Sequence, residues 1–293
     1  YESPAITPEL QYQNPTTGDL RDLRISLALL ADDERFDEGL EQLRLMVRLY
    51  EEWIGGRREE VEQLPEHHQA AAKRHLEACD VSLARMESGI QLLSKDPDSD
   101  VSVAFRLTNQ AMLMQALASR APNRQPHFNP KEKRISYEPV YAEPDPSSEA
   151  WRERVWRPFQ ISFFLMNLAA LADSKDPGRE IVDLIWFPTG GGKTEAYLAC
   201  AAFSIFMRRI ADRNDLGTQV LMRYTLRLLT AQQFQRASSL ICAMDLIRAG
   251  REESLGKAPF TIGIWVGGAT TPNQRSGAAS ALSKTRRNGE EDY

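Results

Sequence analysis

The stretch WFPTGGGKTEAY, residues 186–197, decides how this chain is read. It follows the apolar run IVDLI and leads into a segment of good helix formers. A phosphate cradle needs backbone N–H groups converging at a helix start, and glycines that let the backbone approach closely. Gly190, Gly191 and Gly192 meet that need after Thr189, between an expected strand and a helix expected over 193–209. In such a cradle Lys193 reaches the β- and γ-phosphates and the Thr194 hydroxyl ligates Mg²⁺. The strict pattern G-x-x-x-x-G-K-[ST] is not met, because Phe187 stands where the first glycine belongs. Glycine-rich turns between strand and helix also serve packing alone. Gly-Lys-Thr at the junction favours the nucleotide, ATP with Mg²⁺, with Lys193 and Thr194 in the catalytic roles.

Working outward, IVDLIWF (181–187), GTQVLMRY (217–224) and FTIGIWVGG (260–268) read as short buried strands separated by helices. Strands alternating with helices predict an α/β fold with a parallel sheet over 151–293. Before the loop, Ser147 or Ser148 caps a helix through WRERVWRPFQISFFLMNLAAL, interrupted near Pro158.

The region 1–120 reads as helices. Phe36, Leu40, Leu43, Val47, Tyr50 and Ile54 make one heptad seam, expected to stop at Gly55-Gly56. Leu76, Cys79, Leu83, Met86, Ile90 and Leu93 make a second, so the pair predicts an antiparallel hairpin. A third helix from Val101 has a broader apolar face. Residues 121–150 read as a Pro-rich linker, with one short strand at ISYEPVY.

Composition is that of an ordinary soluble protein: 293 residues, 26% charged, 42% hydrophobic, net charge −5. The mild acidity confines any nucleic-acid binding to a local surface. Three scattered cysteines, Cys79, Cys200 and Cys242, fit a reducing cytoplasm and no disulfide framework. No apolar run approaches the roughly 18 to 20 residues of a membrane span. The first residue is Tyr1, not Met, and the chain is expected to be a piece of something longer.

P-T-G-x-G-K-T without the first glycine resembles motif I of superfamily 2 helicases and translocases. WRPFQ resembles their adenine motif, with Gln160 reading the base edge and Phe159 or Trp156 supporting the ring. RYTLRLLTAQQ resembles motif Ia, with Arg223-Tyr224 where a proline is usual. WVGGATTPN resembles their Gly-Gly and T-P-G-R elements, with Asn273 where a glycine is usual. The resemblance implies nucleic-acid contacts at Thr225, Arg227, Gln232 and Thr271. Across 151–273 the wording is most similar to the DrmA branch, the helicase subunits of the DISARM anti-phage system. That implies a RecA-like first motor domain, incomplete here, in an ATP-driven motor acting on DNA, with DrmB as companion protein. A nucleotide-gated scaffold and another kind of P-loop ATPase stay open beside it.

Hydrolysis needs a carboxylate pair after an apolar strand, to hold Mg²⁺ and activate water. The family places it beyond the third strand, and no stretch up to Tyr293 fits. SLALLADDE near the start mimics the pattern, but its leucines have helical spacing. His68, His75 and Cys79 share a helix face without an evident fourth ligand. Lys284, Arg286 and Arg287 form a basic run that reads equally as a solvated loop.

Overall fold

The structure, a computed structural model, describes residues 10–14, 16–118, 124–129, 134–142, 145, 148–185, 192–224, 227–265, 272 and 274–287. The elements in order are β1 (Gln11–Gln13), β2 (Leu20–Asp22), β3 (Ile25–Ser26), α1 (Leu27–Ala31), α2 (Phe36–Glu60), α3 (Glu66–Lys95) and α4 (Asp100–Ala118). Then come β4 (Gln125–Asn129), β5 (Arg134–Glu138), α5 (Glu149–Arg152), β6 (Val155–Trp156) and α6 (Pro158–Ala172). Last are α7 (Lys193–Ala211), α8 (Arg227–Ala249), α9 (Glu252–Leu255) and α10 (Arg275–Arg287).

Most of both heptad seams is buried, with Tyr50, Cys79 and Leu83 half-buried at the edge of the pair. Phe36, Leu40, Leu43, Val47 and Ile54 of α2 face Leu76, Met86, Ile90 and Leu93 of α3 across an antiparallel pair of helices. Gly55-Gly56 does not end α2, which runs on to Glu60. Two helical glycines cost about 1 kcal/mol each relative to alanine. Ile54 and Val61, on either side of them, are buried with Leu76 in a cluster of their own. Burying such side chains is worth about 1.5–3 kcal/mol apiece, which outweighs the glycines. Added Cβ atoms at Gly55 and Gly56 would meet nothing within 4 Å, so both glycines sit on the open side of the helix.

The SLALLADDE stretch is structural. Ser26 caps the short α1, and Asp33 pairs with Arg106 of α4 at 2.6 Å. Helix α4 is the centre of the molecule. It buries Ala104, Phe105, Leu107, Ala111, Met112 and Leu113 against α1, α7 and α8. Its buried polar groups find partners within the helix and beyond it: Thr108 Oγ1 donates to Ala104 O at 2.8 Å, and Asn109 Oδ1 accepts from Trp156 Nε1 of β6 at 2.7 Å. Trp156 is therefore a core residue, held by α4.

Phe105, Phe164 and Phe203 link α4, α6 and α7, with ring centroids 5.1 and 5.7 Å apart. One hydrophobic cluster thus runs from Leu23 to Phe260, and the N-terminal helices share it with the helices after the glycine loop. Helix α3 meets α6 closely, because a Cβ on Gly89 would lie 2.5 Å from the Leu165 carbonyl oxygen. Gly89→Ala must push two backbones apart. It is expected to lower the urea midpoint at unchanged slope, by about 1–3 kcal/mol of stability.

The sheets among the described residues are three antiparallel pairs: β1 with β2, β3 with β6, and β4 with β5. The ISYEPVY strand is realised as β5, paired with β4. Within the three apolar runs read as parallel strands, residues 181–185, 217–224 and 260–265 lie outside any ladder. Val182 is 95% exposed and Leu221 82%, although strands of a parallel sheet are covered on both faces. These runs are nevertheless tied to the helices. Arg85 of α3 forks onto both carboxylate oxygens of Asp183 at 2.7 Å. The Phe260 N–H donates to Asp245 of α8 at 2.9 Å. Arg209 of α7 lies over the Phe260 ring and donates to Leu255 O and Ala258 O. Segments 216–224 and 258–265 border a cavity of about 1180 Å³ between α7 and α8.

Candidate functional site

Helix α7 begins where the sequence places the end of the glycine loop. Gly192 has φ +83°, a left-handed conformation that glycine adopts without a Cβ clash, and the helix runs 19 residues from Lys193. A start of this length presents first-turn N–H groups and the positive end of the helix dipole to whatever lies before it. Lys193 is half-buried and Thr194 buried, both in that first turn. Thr189, Gly190 and Gly191 lie outside the described residues.

The adenine-motif stretch comes to the same place. Pro158 opens α6, and Gln160 in its first turn is buried. Gln160 Oε1 accepts from the Arg157 N–H at 3.0 Å, which satisfies one free donor of the helix start. Gln160 Nε2 donates to the Gly192 carbonyl oxygen at 2.7 Å. So the amide both caps its own helix and holds the last glycine of the loop, 32 residues away. Phe159 beside it is half-buried.

A second set of contacts joins α7 to α8. Thr194 Oγ1 donates to Gln233 Oε1 at 3.2 Å. The Tyr197 hydroxyl lies 3.1 Å from Thr194 Oγ1, 3.3 Å from Gln233 Oε1 and 3.0 Å from the Tyr224 hydroxyl. Burial, aided by the Tyr197 hydrogen bond, pushes the Tyr224 phenol well above its usual value, so it stays protonated. Glu195, the residue after Thr194, is ion-paired with Arg236, which lies about one turn beyond Gln233 on α8. Burial draws the Arg236 guanidinium below its ordinary value, which its own charge pair with Glu195 has to offset.

Of the nucleic-acid candidates, Gln232 is exposed on α8. Thr225 and Thr271 lie outside the described residues, as does the side chain of Arg227. The sequence reading missed Tyr197, Tyr224, Gln233 and Arg236 as the residues that join α7 and α8 beside the site. Gln233 was findable: it leads the buried stripe Ala237, Leu240, Met244 and Ile247, so it faces inward while Gln232 faces out. Among the described residues no group of three or more His, Cys, Asp or Glu could hold a metal; His68 and His75 are exposed, and Cys79 is half-buried against Ile54, Val61 and Leu76. Cys200 is a core thiol, pushed up to about 12 by burial. Among the described residues no helix is long and apolar enough to cross a membrane.

No family model matches the chain. It is similar to the DISARM protein DrmA of Bacillus paralicheniformis, with 37% identity over 254 residues, a match that takes in 83% of this chain and 20% of that protein. The chain thus spans about a fifth of the length of this curated relative, to which most of it is related.

Proposed function

We propose, from this kinship with a DISARM protein, that the chain is the nucleotide-binding part of an ATP-dependent DNA translocase or helicase of superfamily 2 in anti-phage defence. In this reading residues from 151 onward form the first RecA-like motor domain, with 181–187, 217–224 and 260–268 as strands of its parallel sheet. The helical region packed on it is part of the same body. The observation that carries the reading is the hydrogen bond from Gln160 to the Gly192 carbonyl. The stretch read for adenine and the stretch read for phosphate, far apart in sequence, meet at a single helix start.

The residues fit such a ligand. Gly192 turns the backbone into α7, and Lys193 and Thr194 follow in the first turn, where anionic phosphate is favoured by both charge and dipole. Lys193 would hold the phosphates and Thr194 the Mg²⁺. Bound Mg²⁺ would supply neutralisation of charge developing on the transferred phosphoryl group. Gln160, next to the loop, would orient the base. Thr225, Arg227, Gln232 and Thr271 would meet nucleic-acid backbone, and a DrmB-type companion protein would be the assembly partner.

The test is phosphate release by the complete protein with and without duplex DNA. Stimulation by DNA supports a motor. Tight ATP binding without any turnover would favour the nucleotide-gated scaffold instead. Gln160→Ala is expected to weaken the preference for ATP over GTP, read by competition, more than it weakens phosphate binding. An unchanged preference would confine Gln160 to its capping role.

A further inference from the structure

Helix α8 carries most of the stretch that resembles motif Ia, and it is tied to the start of α7 through Thr194, Tyr197 and Glu195. We infer that Tyr197, Gln233 and Tyr224 form a hydroxyl relay through which α8 senses whether Thr194 is engaged by a cation. The inference rests on the nucleotide reading of residues 189–194.

The proton count makes the relay directional. Thr194 has one proton, given to Gln233 Oε1, and two lone pairs, one of them facing the Tyr197 hydroxyl. Tyr197 also has one proton, with three oxygens in reach at 3.0 to 3.3 Å. It can donate to only one of them at a time, and the best acceptor takes it. A threonine oxygen that shares a lone pair with Mg²⁺ becomes a poorer acceptor and a stronger donor. Tyr197 then turns its proton to Gln233, since Tyr224 stays protonated and can donate back to Tyr197. Gln233 Oε1 has two lone pairs and accepts from Thr194 and Tyr197 together. Loading of Thr194 therefore draws Gln233, and with it the first turns of α8, toward α7. Gln232, the exposed neighbour proposed to meet nucleic acid, moves with it. The neighbouring Glu195–Arg236 pair keeps the two helices in register while this happens.

The experiment uses the complete protein and a random-sequence duplex oligonucleotide, with and without Mg²⁺ and a non-hydrolysable ATP analogue. In the parent, nucleotide is expected to change duplex affinity by about 5- to 150-fold, and duplex to change nucleotide affinity by the same factor. Tyr197→Phe and Gln233→Leu should bring that factor to within about twofold of one, while each ligand alone still binds. Gln233→Glu keeps the acceptor oxygens and should keep the factor. A Tyr197→Phe protein with the parent's factor overturns the relay. If Tyr197→Phe does not fold, the contrast between Gln233→Leu and Gln233→Glu decides. A parent that binds both ligands without any mutual effect overturns the relay alone. A parent that does not bind the analogue overturns the nucleotide reading, and the relay with it.

Discussion

Lys193→Ala in the complete protein is expected to abolish tight ATP binding and to lower DNA-stimulated hydrolysis by at least about 10²-fold. Lys193 is the first residue of α7, directly after the left-handed Gly192, so its charge adds to the dipole of a 19-residue helix at one point. Phosphoryl transfer needs charge stabilised on the phosphate oxygens, and a neutral side chain at this point supplies none. The fold should hold, because the core residues of α7 are Ala196, Leu198, Ala199, Ala202, Phe203 and Phe206, further along the helix. Equilibrium nucleotide binding and phosphate release are the measurements, with thermal unfolding as the control. A folded Lys193→Ala protein that hydrolyses ATP at the parent's rate would remove this helix start from the chemistry.

The helical hairpin was legible because heptad spacing encodes both the element and its buried face. Its end was not, because two glycines are a local signal and Ile54, Val61 and Leu76 are a tertiary one. The start of α7 was legible to the residue, since Gly192-Lys193-Thr194 combines a conformational requirement with a chemical one. The expected strands show the opposite case. An apolar run states that a segment is to be covered but does not name the backbone that pairs with it, and residues 181–185, 217–224 and 260–265 have none among the described residues. The polar tie between α7 and α8 was hidden for another reason. Gln232 and Gln233 are identical neighbours, and only the stripe of Ala237, Leu240, Met244 and Ile247 tells which one faces inward. The Gln160–Gly192 bond spans 32 residues, and the family resemblance that points to both of its ends does not state that they touch.

That bond gives the second large expected effect. Gly192→Ala should weaken ATP binding by about 10- to 100-fold and destabilise the fold by about 1–3 kcal/mol. Two separate costs add up to this. An alanine at φ +83° suffers the left-handed penalty of about 1–2 kcal/mol, whatever surrounds it. Its Cβ would also stand 2.7 Å from Gln160 Nε2, 3.3 Å from Glu195 Oε2 and 3.4 Å from Arg157 Nη1. A long side chain in the open would swing aside at little cost. Gln160 is only 6% exposed and has both ends of its amide engaged, so moving it breaks the bond to the Gly192 carbonyl and disturbs the start of α6. The two costs separate in a double-mutant cycle. Gln160→Ala removes the amide that the new Cβ strikes, so in the doubly substituted protein only the backbone penalty of Gly192→Ala remains. The combined loss of stability should fall short of the sum of the single losses by about 0.5–3 kcal/mol, read from denaturant unfolding. Losses that add to within about 0.5 kcal/mol would mean that residues 160 and 192 do not meet in solution. The joining of WRPFQ to the end of the glycine loop, on which the proposed nucleotide site rests, would then lose its support.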